Sequence, residues 1–365
     1  MSGLSSRYCA LRLSSQRLPG PPAVLSIPCK STSAAHVQYA AVMLLDYAAE
    51  LPVTIPMTQI ENWPSIAVVG AGAVGGYFGG LLARAGAPVT MIGRPAFVAA
   101  VNKNGLLLDT LQFRENVRVP ASTELSTAAG AEIILFCVKT PDNAATARQL
   151  APVLAPGALV VSLQNGVDNV EQIRAATNLE VLPAVVYVAA SVPEPGKIKH
   201  VGRGDLALGP RSEKTERLAQ IFTRAGIPCR ISDNIAGELW TKLLWNCALN
   251  AISALGRVKY GQIAASGDAR RVVQSLVEEV FAVATAAGIH LAGVEDTSAA
   301  FAGACKIATQ MSGALSSTAQ DMLRGKRTEI DSLNGYISRR GEELCVPTPV
   351  NHALYTMIKL AEARS

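Results

Sequence analysis

The sequence predicts an α/β domain followed by an all-helical domain. Between residues 66 and 232, apolar strand-like runs alternate with helical patterns, which is typical of a parallel sheet covered by helices. From residue 233 onward only helical periodicities occur. The chain has 365 residues, 49% of them hydrophobic, so it is long enough to bury two cores. We therefore expect domains at 65–232 and 233–365, with a site in the cleft between them.

Residues 1–64 form an amino-terminal extension that fits neither domain. Its first 45 residues contain three arginines and one lysine but no acidic residue, a composition that matches an organellar transit peptide. The alternative is an over-extended start, because Met57 stands only nine residues before the first predicted strand at Ile66. We favour translation from Met57 and expect residues 1–56 to be disordered.

A glycine-rich motif follows the first predicted strand and precedes a helical pattern that ends near Gly86. The motif consists of Gly70, Ala71, Gly72, Ala73, Val74 and Gly75. The order of strand, glycine turn and helix lets a pyrophosphate approach backbone N–H groups at a helix N-terminus. It predicts a Rossmann-like dinucleotide-binding domain, whereas the alternative is a tight turn whose glycines serve packing alone.

The residues after this motif favour NADP(H) over NAD(H). An NAD-binding domain usually has an Asp or Glu about 20 residues after the glycines, but no acidic residue occurs between Gly70 and Leu108. The next apolar run ends in Gly93 and Arg94, where a guanidinium can neutralise a 2′-phosphate. We therefore expect NADPH as the cofactor. The alternative for Arg94 is an ordinary exposed loop arginine.

Two further predicted strands end in polar residues. Residues 132–138 lead into Lys139, and residues 158–163 lead into Gln164 and Asn165. Because ligands bind outside the carboxyl ends of such strands, we expect Lys139 and Asn165 to reach the cofactor or the substrate. Either residue could instead cap the helix that follows it. Residues 181–208 are expected to add hairpin strands to the parallel sheet.

The segment from Leu239 to Leu255 is an apolar helical pattern that carries a narrow polar stripe. Lys242, Asn246 and Asn250 recur every four residues, so they lie on one side of the predicted helix. A buried ammonium needs a carboxylate or a ligand to offset its desolvation, so the stripe indicates a site. The alternative is a partly exposed helix whose Lys242 extends into solvent.

A second helical pattern runs from Ser317 to about Glu343. Ser317 and Gln320 form an S-x-x-Q capping box, in which Ser317 would cap the helix. A helix N-terminus with a free hydroxyl can also bind a carboxylate substrate. Glu329 lies farther along this pattern, where it could form a surface salt bridge or hold the ammonium of Lys242 in place.

Composition narrows the class of protein further. The net charge of +5 is modest and the basic residues are scattered, so nucleic acid is not expected as a partner. The seven cysteines form no C-x-x-C pair and the histidines show no ligand spacing, which indicates a reducing, cytoplasmic environment without a metal site. The apolar stretch at 37–53 is short and contains Asp46 and Glu50, so we predict no membrane span.

Together these motifs resemble the ketopantoate reductase family over about residues 65–359. The resemblance rests on GAGAVGG at 70–76, CVKT at 137–140, QNGVDN at 164–169, LWTKLLWNCALNAISAL at 239–255 and SSTAQDMLRGKRTEIDSLNG at 316–335. Members of this family reduce 2-dehydropantoate to pantoate with NADPH in pantothenate biosynthesis. The resemblance therefore implies the same fold, cofactor and small-molecule 2-oxo acid substrate.

The resemblance also implies roles for individual residues. Lys242 matches the family's general acid, and Glu329 matches the carboxylate that accompanies it. The substrate-facing residues of the family fall on Asn246, Asn250 and Ser317. The residues near its cofactor fall on Lys139 and Asn165.

One position departs from the family pattern. Members of the family carry an asparagine three residues before the substrate-binding serine, and Ala314 stands there in this chain. A bulkier or less hydroxylated 2-oxo acid is therefore an alternative substrate, on the same architecture. A different class of function is an NADPH-binding regulatory protein without catalysis, although such a sensor would need neither Lys242 nor Glu329. The sequence leaves a homodimer open.

Overall fold

The computed structural model describes residues 62–363, so the predictions for residues 1–56 and for a start at Met57 lie outside the described part. A 10-stranded sheet forms the centre of the first half of the molecule. Its strands are β1 (Ile66–Val69), β2 (Val89–Ile92), β3 (Leu106–Asp109), β4 (Arg114–Val117), β5 (Ala121–Ser122), β6 (Ile133–Phe136), β7 (Leu159–Ser162), β8 (Val181–Ser191), β9 (Lys197–Leu208) and β10 (Cys229–Ile231).

The strand order across the sheet is β4-β3-β9-β8-β7-β6-β1-β2-β5, and β10 pairs with β9. All neighbours from β5 to β8 in this order pair in parallel. β8 and β9 form a long antiparallel hairpin, which confirms the hairpin predicted for residues 181–208. The carboxyl ends of the parallel strands therefore share one edge, as a doubly wound α/β domain requires.

Twelve α-helices accompany the sheet within residues 62–363, and every element after β10 is helical. The helices are α1 (Ala73–Arg84), α2 (Pro95–Asn104), α3 (Asn143–Leu150), α4 (Asn169–Ala176), α5 (Glu213–Arg224), α6 (Ile235–Gly256), α7 (Tyr260–Ala265), α8 (Gly267–Ala286), α9 (Thr297–Gln310), α10 (Ser317–Leu323), α11 (Asn334–Glu343) and α12 (Pro349–Glu362). The predicted class, a Rossmann-like domain followed by an all-helical domain, is confirmed.

The close packing of α1 on the sheet depends on glycines that face it. A Cβ at Gly79 would lie 2.5 Å from Cγ2 of Val68, and a Cβ at Gly80 would lie 2.8 Å from Cδ2 of Leu108. Larger side chains here would push the helix away, because interiors are packed without spare volume. The glycines thus hold the N-terminus of α1 at the carboxyl end of β1.

The prediction of one long helix from Ser317 to about Glu343 is wrong. The chain instead forms the short α10, a 3₁₀ turn at Ile330–Ser332 and then α11. Gly325, two residues after α10 ends, adopts a positive φ of 61°, a conformation typical of the residue that terminates a helix. Glu329 consequently lies on the connecting segment rather than on a helix.

None of the helices between residues 62 and 363 has both the length and the apolar character needed to cross a membrane.

Candidate active site

The carboxyl ends of four adjacent parallel strands carry the residues predicted to bind the cofactor. The glycine turn follows β1, Arg94 follows β2, Lys139 follows β6 and Asn165 follows β7. These strands lie side by side in the order β2-β1-β6-β7. The fold therefore places all four positions along one edge, where α/β proteins bind ligands.

The glycines of the turn after β1 meet different spatial requirements. A Cβ at Gly70 would lie 2.5 Å from the backbone nitrogen of Val138, and Gly70 has a positive φ of 95°. A Cβ at Gly75 would lie 2.5 Å from the carbonyl oxygen of Gly70. At Gly72 the nearest atom to an added Cβ is 4.0 Å away. Gly70 and Gly75 are thus required by protein packing, whereas Gly72 faces open space.

The N-terminus of α1 fits a pyrophosphate. Gly72 precedes the helix and has no side chain to cap it, so the N–H groups of Ala73 and Val74 face a place that a ligand can occupy. The N–H of Ala71 donates to the carbonyl oxygen of Ile92 at 2.9 Å, which fixes the turn against β2. An anion beside Gly72 would accept from these N–H groups at the positive end of the helix. The residues present therefore fit a dinucleotide.

Arg94 lies just beyond the end of β2, on the side of the turn that borders this strand. It is exposed and directly precedes α2. Its neighbour Gly93 lies beside the glycine turn, since a Cβ added at Gly93 would be 3.2 Å from Cβ of Ala71. Folds of this type bind the adenosine ribose at the end of the second strand. Arg94 is thus placed where a guanidinium can meet a 2′-phosphate.

Lys242 lies on α6, at the point where this helix packs against β8. Its ammonium donates a hydrogen bond to Oδ1 of Asn165 at 3.0 Å and another to the carbonyl oxygen of Val186. Asn165 belongs to the sheet edge and Lys242 to the helical part of the chain. The two halves of the molecule therefore meet at this lysine, beside the carboxyl ends of the strands.

Burial, and after it the nearby cation of Arg203, lowers the pKa of Lys242 to about 8. The carboxylates of Glu329 and Asp205 act in the opposite direction, because they stabilise the charged form. A lysine with a pKa of about 8 can release and regain a proton close to neutral pH. The amine of Lys242 can thus exchange a proton under physiological conditions.

Glu329 reaches the same site from the segment between α10 and the 3₁₀ turn. Its carboxylate accepts a hydrogen bond from Nδ2 of Asn165 at 3.4 Å, and Oγ1 of Thr140 lies 3.5 Å from its other oxygen. Burial raises the pKa of Glu329, and the cation of Lys139 opposes that rise. Asn165 accepts from Lys242 and donates to Glu329, so its amide connects the ammonium to the carboxylate.

Buried amides behind Asn165 hold it in this orientation. Nδ2 of Asn169 donates to the backbone carbonyl oxygen of Asn165 at 2.6 Å. Oδ1 of Asn169 in turn accepts from Oγ1 of Thr140 and from Nδ2 of Asn143, each at 2.9 Å. A buried polar network that satisfies its members in this way favours a single arrangement. The network therefore holds the backbone of Asn165 in place, and the side chain is held by Lys242 and Glu329.

Lys139 connects the sheet edge to the helical part of the molecule. Its ammonium lies 2.7 Å from Oδ2 of Asp321 on α10 and donates to the carbonyl oxygen of Arg327 at 3.0 Å. The side chain of Lys139 is 38% exposed, so the pair borders solvent. Lys139 thus contributes positive charge beside Glu329 and holds α10 near the strand ends.

The asparagines that follow Lys242 on α6 differ in their surroundings. Asn246 is partly buried one turn beyond Lys242. Asn250 is buried, and its Oδ1 accepts a hydrogen bond from the hydroxyl of Tyr260 at 2.7 Å. The carbonyl oxygen of Asn250 also accepts from Oγ of Ser316 at 3.0 Å. Asn250 thus supports the start of α10 as well as lying on the polar stripe.

Ser316, and not Ser317, caps α10, so the predicted capping box at Ser317 is wrong. Ser316 has extended backbone dihedrals and its Oγ accepts from the N–H of Ala319 at 3.0 Å. The residue with extended backbone immediately before a helix is the one whose side chain reaches these N–H groups. Ser317 is the first helical residue and is exposed, so its hydroxyl is not used by the cap.

Three residues of the β8–β9 hairpin border Lys242 although no sequence motif indicated them. Val186 supplies the carbonyl oxygen that Lys242 contacts, and the ring of Tyr187 lies 5.8 Å from its Nζ. The guanidinium of Arg203 lies over the same ring, with its Cζ 3.9 Å from the centroid. A glycine on each side of Arg203 was the only signal in the sequence.

A glycine turn and a buried lysine at one edge of the parallel sheet are typical of a dinucleotide-binding oxidoreductase. Two family models support this class: "Ketopantoate reductase PanE/ApbA" matches residues 66–213, and "Ketopantoate reductase PanE/ApbA C terminal" matches residues 234–362. The chain therefore belongs to the ketopantoate reductase family. It is an enzyme, an oxidoreductase that acts on a CH–OH group.

Individual relatives agree with this assignment. A 2-dehydropantoate 2-reductase of Pyrococcus horikoshii is 31% identical over 307 residues, which cover 82% of this chain and 97% of that protein. A crystal structure of a PanE/ApbA family ketopantoate reductase from Ralstonia eutropha JMP134 shares 46% identity with a TM-score of 0.78, and covers 82% of this chain and 99% of its own. A D-mandelate dehydrogenase with NADH and anilino(oxo)acetate shares the fold, at 24% identity, a TM-score of 0.75 and coverages of 82% and 99%.

Proposed function

We propose that this enzyme reduces 2-dehydropantoate to pantoate with NADPH, in pantothenate biosynthesis. The observation that carries the proposal is the Lys242–Asn165–Glu329 arrangement at the strand edge that also holds the glycine turn. Reduction of a 2-oxo acid needs a hydride donor and a proton donor at one carbonyl group. The dinucleotide turn and the ammonium of Lys242 supply places for both.

NADPH, when bound, supplies the hydride for C2 of the oxo acid. Lys242 donates a proton from Nζ to the carbonyl oxygen as negative charge develops on it, so the product is a hydroxyl group and Lys242 is left neutral. Glu329 stabilises the protonated lysine through Asn165 and so favours its return to the charged state before the next turnover. Each turnover therefore consumes one hydride and one proton.

The substrate is proposed to lie between α6 and the start of α10. Asn246, one turn after Lys242, would orient its oxygens, and the exposed hydroxyl of Ser317 would bind its carboxylate at the N-terminus of α10. Asn250 takes part by supporting that helix end through Ser316. The polar stripe and the α10 terminus then hold the two ends of a short 2-oxo acid.

Ala314 favours a second candidate, the reduction of another branched 2-oxo acid. Its methyl group packs against the helical core and offers no hydrogen bond to a substrate hydroxyl. The test follows NADPH absorbance with the full chain, 2-dehydropantoate and a panel of other branched 2-oxo acids. Selective oxidation with 2-dehydropantoate would support the proposal, and turnover of a different panel member alone would replace the substrate.

Two finer predictions stay with this proposal, whereas the alternative of a non-catalytic NADPH-binding regulatory protein is set aside because the chain is an enzyme. Assembly as a homodimer can be measured by light scattering of the purified chain. The cytoplasmic location predicted from the cysteines can be checked by fractionation of cells that express it.

Replacing Arg94 with Ala is expected to weaken NADPH binding while leaving NADH binding nearly unchanged. A guanidinium–phosphate contact is a charge-assisted pair, and loss of one at an exposed position corresponds to about a tenfold change, or about 1.4 kcal/mol. Isothermal titration calorimetry with both cofactors would measure this. The exposed Arg118→Ala is the matched control, and equal losses for NADPH and NADH in Arg94→Ala would contradict the assignment.

The rate of reduction is expected to fall as pH rises through about 8, the pKa of Lys242. Only the protonated lysine can donate, and its fraction drops about tenfold per pH unit above the pKa. In the direction of pantoate oxidation the neutral lysine is the active form, so the rate should rise through the same range. Profiles of kcat/KM in both directions would measure this, and parallel profiles would contradict a proton-transfer role.

A further inference from the structure

Arg203 occupies an unusual backbone position beside Lys242. It has a positive φ of 54°, a left-handed conformation that glycine adopts freely and arginine does not. It lies opposite Val188, where the pairing of β8 with β9 shifts register between Tyr187 and Val188. Such irregularities redirect side chains and are frequent next to active sites. The backbone of Arg203 is thus held in an energetically unfavourable conformation, which places its side chain over the Tyr187 ring.

The side chain of Arg203 is fixed by two strong contacts. Its guanidinium lies over the Tyr187 ring, with Cζ 3.9 Å from the centroid. It also forms a bidentate pair with Asp205, through Nε to Oδ1 at 2.9 Å and NH2 to Oδ2 at 2.6 Å. Nζ of Lys242 lies 5.8 Å from the centroid of the same ring. Two cations therefore share one aromatic ring.

We propose that Arg203 is a positioning residue that promotes proton release from Lys242 during the reduction. Its fixed positive charge repels the ammonium and favours the neutral amine that remains after the proton has been donated. Asp205 holds Arg203 in place and at the same time limits this repulsion. The inference rests on the proposed function, in which Lys242 is the proton donor.

Charged groups approach Lys242 from several elements. Arg203 and Asp205 lie on β9, and Glu329 lies on the segment before the 3₁₀ turn. On α6 itself, Glu238 stands one turn before Lys242 and pairs with Arg230 of β10 at 2.5 Å. The ring of Tyr187 on β8 also lies near Lys242, and the Lys139–Asp321 pair lies beside Glu329 at the strand edge.

The signs of the charges on β9 give a test that separates electrostatics from structure. Removing the cation of Arg203 should make Lys242 harder to deprotonate, so its titration should move to higher pH. Removing the carboxylate of Asp205 should make it easier to deprotonate, so the titration should move to lower pH. If the Arg203–Asp205 pair served structure alone, the two variants would not shift the titration of Lys242 in opposite directions, because each breaks the same contact.

The experiment measures two titrations in the full chain. One is the alkaline decline of kcat/KM for oxo acid reduction, and the other is the pH dependence of acetic anhydride labelling at Lys242, read by mass spectrometry. The variant Arg203→Asn is used because asparagine tolerates a left-handed backbone. We expect an upward shift of roughly 0.5 to 1 pH unit in Arg203→Asn and a downward shift in Asp205→Asn.

Two further variants complete the design. Arg203→Lys keeps the cation and should titrate close to the parent chain. Arg257→Asn is the matched control, because Arg257 is also an arginine with a positive φ, of 51°, but is exposed at the far end of α6. Equal titrations in the parent, Arg203→Asn and Arg203→Lys chains would overturn the proposal. Labelling needs no turnover, so it tests Arg203 even if no oxo acid is reduced.

Discussion

The variant Lys242→Ala is expected to lose about 10²- to 10⁴-fold in kcat for oxo acid reduction, the usual cost of removing a positioned general acid. NADPH binding should remain nearly intact, because Lys242 lies on α6, whereas the glycine turn and Arg94 lie at the ends of β1 and β2. The loss should therefore appear in kcat and not in the dissociation constant of the cofactor. Stopped-flow measurement of NADPH oxidation together with calorimetric titration would separate the two.

A charge-preserving variant makes the same experiment sharper. Lys242→Arg keeps a cation near Asn165 but cannot release its proton near neutral pH, because the guanidinium pKa lies above 12. It should therefore be slow as well, and should lack the decline of activity above pH 8 expected of the parent chain. Lys103→Ala, an exposed lysine near the end of α2, is the control. Turnover close to the parent rate in Lys242→Ala would remove Lys242 from the mechanism.

The parts of the molecule that follow local patterns could be predicted from the sequence. The glycine turn depends on one strand, one loop and one helix, all within about 20 residues. The stripe that begins at Lys242 follows from helical periodicity alone. Both patterns are local, so neighbouring residues in the sequence were sufficient to indicate them.

The parts that depend on contacts between distant residues could not be predicted in this way. Asn165 was expected at the cofactor, but only the tertiary packing of α6 against the sheet brings it to Lys242, 77 positions away. Arg203 lies at a shift in strand pairing that leaves no pattern in the sequence beyond its flanking glycines. The predicted long helix ends at Leu323, two residues before Gly325, whose positive φ the helical periodicity does not report.

The identity of the serine that caps α10 also could not be predicted from local sequence. Both are serines, and the S-x-x-Q spacing selects the second of them. The structure selects the first, because the hydrogen bond from Ser316 to the carbonyl oxygen of Asn250 ties that residue to α6. A contact between residues 66 positions apart in the sequence thus determines which serine hydroxyl caps the helix and which stays exposed.

Gly72→Val should raise the dissociation constant of NADPH by about 100-fold while the chain remains folded. The structure has open space where the side chain would begin, with no atom nearer than 4.0 Å to a Cβ, and the backbone φ of −87° suits any residue. The valine would then occupy the approach to the N–H groups at the start of α1. Losing two hydrogen bonds to a charged phosphate group costs about 3 kcal/mol, which corresponds to roughly 100-fold.

The contrast with neighbouring glycines identifies the cause of any loss. Gly75→Val should destabilise the fold itself, because its Cβ would collide with the carbonyl oxygen of Gly70. Gly267→Val is the matched control, since Gly267 also starts a helix and has no atom within 4 Å of an added Cβ. Thermal unfolding and NADPH titration of the three variants would separate folding from binding. If Gly72→Val binds NADPH as tightly as Gly267→Val does, the pyrophosphate does not lie on this turn.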